Sequence, residues 1–593
     1  MTALPPSALP PALGVTRSVL GQPWHWRGAP TDGIDRDLRP DDLVTQLLMT
    51  RGCPRDAVPI YRAPTIRAFM PDPSIFRDMD RAAARLADAV ERGEAVTVFG
   101  DYDVDGATSA ALLIRLLAGL GLSPAAYIPD RLMEGYGPSG EALVRIAESG
   151  TRLIVTVDCG AQAFEALAMA RAAGAEVIVV DHHKCSSALP EAYALVNPNR
   201  LDEDEGAAHG HLAAVGVAFL LGAALLRELR GRGHFRTRPE PRLIDLLDLV
   251  ALGTVADVAA LKGLNRAFVA QGLKVMAAGR NIGLTALARA ARLSRAPLTH
   301  DLGFALGPRI NAGGRVGRSD LGVRLLTTSD PDEAARIAAE LDALNEERRA
   351  IEAEVQQAAE AAARSDDAVQ IVAGAGWHPG VIGIVAGRLK ERLGRPAIVI
   401  GIDEAGIGKG SGRSVAGVDL GAAVMAARDS GLLVAGGGHA MAAGLTVTAD
   451  RVDSLRDFLN ERLGDAVAAA TASRALAIDA VVSPRGLSPS LIEALDEAGP
   501  YGMGWPAPRV ATGPVRIVRA DIVGSGHVRT ILAGEDGARV KAVAFRAADT
   551  DLGQALLGAP ADRRLWLAGR AKTDDWGTRP AAEMHIDDAA WVE

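Results

Sequence analysis

Asp101-Tyr102-Asp103-Val104-Asp105-Gly106 sets three carboxylates on alternate residues. Like charges this close repel unless cations sit among them. The nearest imitator, the calcium loop D-x-D-x-D-G-x5-E, needs a glutamate at its twelfth position, where this chain has Leu112. Two further elements, Val157-Asp158-Cys159-Gly160 and Asp181-His182-His183, add carboxylate and imidazole, and residues 251–256 run into Asp257. A histidine pair alone is more often a hydrogen-bonded turn than a ligand set, and Asp257 alone reads equally as cap or ligand. Carboxylates with imidazole and no thiolate set suit Mn²⁺ or Mg²⁺ rather than structural zinc. Cys159 and Cys185 lack Cys-x-x-Cys spacing and read as small buried fillers. Two divalent ions about 3.5–4 Å apart, sharing a carboxylate, lower the pKa of a bridging water and clamp phosphoryl oxygens. Hydrolysis of a phosphate ester or anhydride is the chemistry this set serves.

Such residues need a scaffold that gathers them. Apolar runs at 95–99, 125–128, 153–157 and 177–180 alternate with helical stretches, which implies a mostly parallel sheet with crossovers on its faces. Ligands of such sheets gather beyond the carboxyl ends of the strands. The first, third and fourth runs meet an acid within two positions, at Asp101, Asp158 and Asp181.

Beyond this domain, Asp330 can cap a helix, Pro331 suits its first turn and Glu333 completes a capping box. No Gly or Pro interrupts residues 332–365, so the helix could reach about 50 Å. Its thin apolar seam and many charges suggest a solvated strut between lobes rather than a coiled coil. A second α/β unit follows, with strands at 370–373 and 397–402, a helix at 381–393, and glycine-rich turns at 408–414 and 436–443. Short apolar runs after about 466 suggest a small barrel. We divide the chain into an irregular arm (1–78), a catalytic domain (79–330), a linker helix (331–365), a second α/β domain (366–465) and a barrel domain (466–593). Trp24 and Trp26 read as packed onto the domain that follows. Trp505, Trp566 and Trp576 are candidates for stacking on bases.

At 593 residues the chain exceeds a single core, and about 150 residues per domain gives three to five. A net charge of −9 argues against a uniformly basic nucleic-acid coat, leaving room only for a local groove. Residues 510–593 hold 11 Lys and Arg against 12 Asp and Glu, so the barrel has the same constraint. A hydrophobic content of 48% excludes wholesale disorder, and three cysteines make no disulfide framework. No basic-then-apolar leader opens the chain, and the uncharged runs 206–226 and 430–449 carry His and Gly. The expectation is a cytoplasmic protein without membrane spans.

Residues 98–106, with Val157-Asp158-Cys159-Gly160 and Asp181-His182-His183, resemble the DHH phosphoesterase superfamily. Pro129-Asp130-Arg131, Glu134-Gly135-Tyr136-Gly137, residues 253–257 and 307–315, Gly410-Ser411-Gly412-Arg413-Ser414 and residues 437–444 sharpen the resemblance to the RecJ single-strand-specific DNA exonucleases. Tyr501-Gly502-Met503-Gly504 is similar to the opening of that family's oligonucleotide-binding barrel. The resemblance covers residue 40 to the end. It departs from the commoner pattern at Trp377-His378-Pro379 and at Gly436-Gly437-Gly438, where an aromatic residue precedes two glycines in relatives.

This resemblance implies an α/β fold: a parallel-sheet DHH catalytic domain, a long linker helix, a second α/β DHH-associated domain and a C-terminal OB-fold β-barrel. It implies two ions, Mn²⁺ or Mg²⁺. Asp103 would bind one, Asp105, His182 and Asp257 the other, and Asp158 would bridge them, with Asp101 a supporting carboxylate or further ligand. His183 would contact the scissile phosphate. Arg131, Arg309, Arg315, Ser411, Arg413 and His439 become candidates for holding the nucleotide end, against ion pairs for the arginines and a flexible turn for His439. The implied activity is 5′-to-3′ release of mononucleotides from single-stranded DNA in repair and recombination, by a monomer that could work with a single-strand-binding protein or a helicase. Two alternatives are a DHH phosphatase on small substrates and a catalytically silent replication scaffold. Barrel and chain length oppose the first, the complete ligand set the second.

Overall fold

The structure is a computed structural model describing residues 10–28, 39–130, 134–135, 137–574 and 581–592. Arg131 and Trp576 lie outside the described residues. The chain forms two compact units: Pro71–Ala259 with Gln271–Ser473, and Met1–Met70 with Ala260–Ala270 and Arg474–Glu593.

The first unit opens with a five-stranded parallel sheet ordered Ala125–Tyr127, Val96–Gly100, Leu153–Val157, Glu176–Val180, Ala194–Val196. Val96–Gly100 and Leu153–Val157 are buried throughout, as expected of strands covered on both faces. In chain order the sheet reads 2-1-3-4-5, so strand order reverses between Val96–Gly100 and Leu153–Val157. That reversal opens a crevice at the strands' carboxyl ends, where Asp101 and Asp158 follow. The fifth strand escaped the sequence reading because three residues carry no usable period.

The linker helix is Pro331–Ala362, 32 residues, with Asp330 accepting the Asp332 N–H at 2.9 Å. The expected capping box does not form. Glu333 takes hydrogen bonds from Arg324 and Thr328 at 2.8 and 2.7 Å, and the Thr328 hydroxyl accepts the Asp330 N–H instead. Nor is the helix a solvated strut. Its Asn345, Arg348 and Glu352 are buried. Arg348 binds Glu352 and donates to Asn345 Oδ1 at 2.6 Å, while Arg388 of helix Pro379–Leu393 reaches Glu352 Oε1 at 2.6 Å. Arg348 and Glu352, read as solvated, are paired within a packed face, whereas Glu346, Glu347 and Arg349 are exposed.

The second sheet is ordered Ala435–His439, Ala442–Thr448, Ile407–Arg413, Ala397–Ile402, Gln370–Ala375, with only the last pair parallel. The segments expected as glycine-rich turns are therefore strands. Gly408, Gly410 and Gly412 form the buried face of Ile407–Arg413, where a Cβ would lie 2.7 Å from Ile400, Leu445 and Leu420 respectively. Lys409, Ser411 and Arg413 occupy the opposite face by strand alternation.

In the second unit, Val510–Val523, His527–Gly534, Arg539–Ala544, Ala581–Trp591 and Leu565–Asp574 pair in that order, and Leu565–Asp574 returns to Val510–Val523. This closes a five-stranded barrel, with helix Asp551–Leu557 between Arg539–Ala544 and Leu565–Asp574 in the chain. Helix Val452–Ala472 runs past residue 466, where the barrel domain was expected to begin. Trp24 and Trp26 pack not onto the domain that follows the arm, as expected, but among Ile478, Val481 and Trp566 of the barrel unit. Trp24–Trp26 pairs in parallel with Leu476–Ile478, and buried Trp24 donates its indole N–H to Asp588 at 3.1 Å. Trp505 and Trp566 are buried, at 5% and 8% exposure, so neither stacks on a ligand. Among the described residues no helix is long and apolar enough to cross a membrane.

Removing one partner of a buried ion pair costs about 3–5 kcal/mol, whereas replacing both by apolar residues is often neutral. Glu352→Ala should therefore lower the thermal midpoint sharply, and Arg348→Met with Glu352→Leu should recover most of it. A midpoint for Glu352→Ala equal to that of the parent protein would show that the network does not hold the helix.

Candidate metal centre

The acidic loop leaves strand Val96–Gly100 with the Asp101 N–H donated to the Val157 carbonyl at 3.3 Å. Gly106 permits its tight return, since a Cβ there would lie 2.3 Å from the Asp101 carbonyl oxygen. Asp103 caps helix Val104–Gly119, accepting the N–H groups of Asp105 and Gly106 at 2.9 and 3.1 Å. Asp105, in the first turn, is buried, and its oxygens accept the N–H groups of Ala214 and Val215 at 2.7 and 2.9 Å. Those amides open helix Ala214–Gly231, whose N-terminus favours negative charge. The Val104 N–H donates to Asn311 at 3.2 Å, tying the loop to helix Gly307–Val316.

Asp158 follows Leu153–Val157 in left-handed backbone, φ 61°, with its N–H on the Val180 carbonyl. Buried Asp181 organises the histidines. It accepts the N–H groups of Ala161, His182 and His183 and the His183 Nδ1–H, the last at 2.8 Å. His182 Nδ1 donates to the Leu212 carbonyl at 3.0 Å. That bond fixes the tautomer and leaves Nε2 as an electron-pair donor, 3.3 Å from Asp158 and 4.0 Å from Asp105. Asp257 ends helix Leu247–Ala256, with Oδ2 3.9 Å from His182 Nδ1.

Three sets of side chains bring ligand atoms within 4.8 Å of one another: Asp105, His182 and Asp257; Asp101, Asp103 and Asp158; and Asp158, His182 and His183. Residues far apart in the chain thus converge at one sheet edge. Asp158 belongs to two sets, as does His182. Asp101, expected behind the other ligands, lies as close as Asp103.

The electrostatics match a cation site. Burial, then the charge of Asp103, raises the Asp105 pKa to about 7. Burial, then Asp105 and Asp103, raises that of Asp257 to about 8. Burial, followed by Asp103, Asp105, Asp101 and Asp181, also pushes Asp158 up. Burial and the charge of His183 lower His182, keeping it neutral. Burial opposes charge on His183, but the hydrogen bond and charge of Asp181, with Asp257 and Asp105 behind it, raise its pKa to about 9. Burial likewise opposes charge on Asp181, yet the His183 bond and the two imidazoles hold it at about 2. Burial pushes the Cys159 thiol up and takes that of Cys185 to about 11, so neither offers a thiolate. Several hard oxygens with one neutral imidazole fit Mn²⁺ or Mg²⁺, and divalent charge would release the protons the carboxylates otherwise retain.

Beside the acidic loop lies a cleft of about 600 Å³ lined by Tyr102, Arg315, Lys409, Ser411, Arg413 and Gly436-Gly437 of the edge strand Ala435–His439. Arg315 and Arg413 also hold the Gly380 and Gly412 carbonyls at 2.8 Å. Arg309 instead pairs with Asp342 at 2.8 Å and donates to the Ala305 carbonyl at 2.7 Å, the ion-pair alternative. His439 is exposed at the end of Ala435–His439 and does not line the cleft. Sequence reading passed over Lys409 and Tyr102, although the alternation Gly-Lys-Gly-Ser-Gly-Arg signals a strand with one polar face.

The parallel sheet, acidic loop and glycine-rich second lobe define a DHH-type protein. The model for the DHH family, N-terminal domain, matches residues 95–254, the DHHA1 domain model 366–465, and the RecJ OB domain model 478–588. The single-stranded-DNA-specific exonuclease RecJ of Dickeya dadantii (strain 3937) is 40% identical over 76% of this chain and 80% of its own length. Its counterpart in Escherichia coli (strain K12) is 37% identical over 83% and 86%. The crystal structure of RecJ with Mn²⁺ from Thermus thermophilus superposes with a TM-score of 0.74 at 30% identity, covering 94% of this chain and 79% of that one. The chain belongs to the RecJ family.

Folded protein retains protons on Asp105 and Asp257 to about pH 7 and 8, whereas unfolded carboxyls release them near 3.9. The native state thus binds more protons, and stability falls as pH rises through this range. His183, raised to about 9, acts in the same direction above 6.5, and lowered His182 matters only below 6.5. Metal-free protein should therefore melt at lower temperature at pH 8 than at pH 6.5, and Mn²⁺ should remove the difference while releasing protons. A midpoint that rises across this interval without metal would contradict the assignment.

Proposed function

We propose that the chain is a divalent-metal-dependent exonuclease that hydrolyses phosphodiester bonds of single-stranded DNA from the 5′ end, releasing mononucleotides. The observation that carries this reading is the convergence of Asp105, His182 and Asp257, from three distant segments, on a volume one ion could fill. Asp105, His182 and Asp257 would hold one cation, Asp103 and Asp101 the other, and Asp158 would serve both. The ions, Mn²⁺ or Mg²⁺ as in the Thermus thermophilus structures, would supply water activation and neutralisation of phosphoryl charge.

The chain's own residues supply positioning. His183, fixed through Nδ1 by Asp181 and held well above its ordinary pKa by that carboxylate, would donate Nε2–H to an oxygen of the scissile phosphate. Leu212 holds His182 in the tautomer that leaves Nε2 a donor of its electron pair. Arg315, Arg413, Lys409 and Ser411 hold the terminal nucleotide and the next phosphates in the cleft, guanidinium forks matching phosphate oxygens. A duplex hides its bases and presents two backbones, so a cleft fitted to one backbone selects single strands. We assign the activity to DNA repair and recombination in the cytoplasm, by a monomer that cooperates with a single-strand-binding protein or a helicase.

Asp158→Ala should reduce turnover of an end-labelled single strand by more than about 100-fold, beyond what loss of a supporting residue costs. Strand binding in chelator should stay within about twofold of the parent protein, because phosphate-holding groups lie outside the carboxylate set. Release of mononucleotides from single strands, duplexes and dinucleotides, with Mn²⁺ and with chelator, tests the class. Turnover of dinucleotides alone would make the chain a small-substrate phosphatase, and none at all a scaffold.

A further inference from the structure

Strand Ala194–Val196 runs into Asn197-Pro198-Asn199, whose two side-chain amides grip backbone. Asn197 is fully buried and donates to the His183 carbonyl at 2.8 Å. Its Oδ1 accepts the Asn199 N–H at 2.7 Å, the turn that an asparagine before proline favours. Asn199 Nδ2 then donates to two carbonyls, that of His182 at 2.6 Å and that of Gly210 at 3.0 Å. Both neighbours are acceptors, so only an amide nitrogen can meet them, and the orientation of this amide follows from its partners.

Gly210 opens a segment that serves two ligands of one ion. The Leu212 carbonyl accepts from His182 Nδ1, and the Ala214 and Val215 N–H groups donate to the Asp105 oxygens. Asn199 thus ties the start of that segment to the backbone of the histidine whose ring the segment orients. The bonds close a circuit from the imidazole through Leu212, Gly210 and Asn199 back to the His182 carbonyl. The fit at Gly210 is close. Its backbone is ordinary right-handed, φ −59°, so conformation does not demand glycine there. Space does, since a Cβ would lie 2.5 Å from Asn199 Oδ1.

Groups behind a metal ligand act by fixing its orientation and tautomer. Attraction at a distance would call for an acid at position 199. A neutral double donor to two carbonyls serves geometry instead. We propose that Asn199, seated by Asn197, is a positioning residue of the metal centre: by locking Gly210 to the His182 backbone it holds the Leu212 carbonyl where it selects the imidazole tautomer able to bind the ion. The proposal rests on the two-ion reading of the centre and gives neither asparagine a contact with substrate or metal.

Mn²⁺ affinity of the full chain without DNA, read by electron paramagnetic resonance of the free ion, tests it apart from turnover. Asn199→Ala should weaken binding about tenfold, the low end for loss of a group behind a ligand. Asn199→Asp has nearly the same shape and added negative charge, yet should also weaken binding, because its oxygens would face carbonyl oxygens. Gly210→Ala keeps every bonding group but crowds Asn199, and should weaken binding too. Added to Asn199→Ala, it should cost less than it does alone. Should Asn199→Ala fail to fold, judged by melting in chelator, Gly210→Ala carries the test. In ¹⁵N-histidine spectra of the metal-free chain, His182 should pass from the Nδ1-protonated tautomer to a mixture in Asn199→Ala. Excess Mn²⁺ should restore kcat, with the KM for single strands unchanged. Parental affinity in Asn199→Ala and Gly210→Ala would overturn the proposal, as would tighter binding by Asn199→Asp. An unaltered chain that binds no Mn²⁺ would instead sink the two-ion reading, and the His182 tautomer in Asn199→Ala would then decide the positioning role by itself.

Discussion

Asp101, Asp105, Asp158 and Asp181 are buried, and Asp103 and Asp257 stand among them. Concentrating that much acid where water is scarce is the constraint around which the first unit is built. Two helix N-termini turn their amides toward Asp103 and Asp105, and Asp181 is neutralised by His183. These contacts offset part of the repulsion and leave the rest to be met by cations. A fold that satisfied every carboxylate internally would have no affinity left for metal.

The second lobe solves a different problem, bringing a strand close enough to pack while leaving its other face for a ligand. Glycine at alternate positions of Ile407–Arg413 lets Ile400, Leu445 and Leu420 close over its inner side, and the outer side keeps Lys409, Ser411 and Arg413 in the cleft. The linker helix joins the two lobes of this unit through ion pairs, partly buried Arg309 with Asp342 on one side and buried Glu352 with half-exposed Arg388 on the other.

The cluster around Asp101, Asp103, Asp158 and His182 was legible because these residues follow strand ends in short motifs, and the sheet's order then dictates where strand ends meet, whereas Asp257 ends a helix and alone reads equally as cap or ligand. Asp101 gained standing only from coordinates, since spacing alone cannot rank neighbouring carboxylates. The glycine strands were misread because glycine density signals turns unless its period is noticed, and Lys409 was lost with them. Arg348 and Glu352 look like solvated charges in a one-dimensional reading, which contains no information on pairing across helices. The tryptophans misled for the same reason: an indole that stacks on a ligand and one that fills a core have the same neighbours in sequence, and only burial shows that Trp505 and Trp566 fill a core.

The union of Trp24 with Asp588 spans 564 positions. During translation at roughly 5–20 residues per second, the first partner leaves the ribosome on the order of a minute before the second. Through that interval the indole has no finished core to enter, so the unit made from both chain regions is assembled last, after the nuclease lobes have emerged. A nascent chain that stalls late therefore leaves Trp24–Trp26 without the strand Leu476–Ile478 and the Asp588 carboxylate that complete its packing.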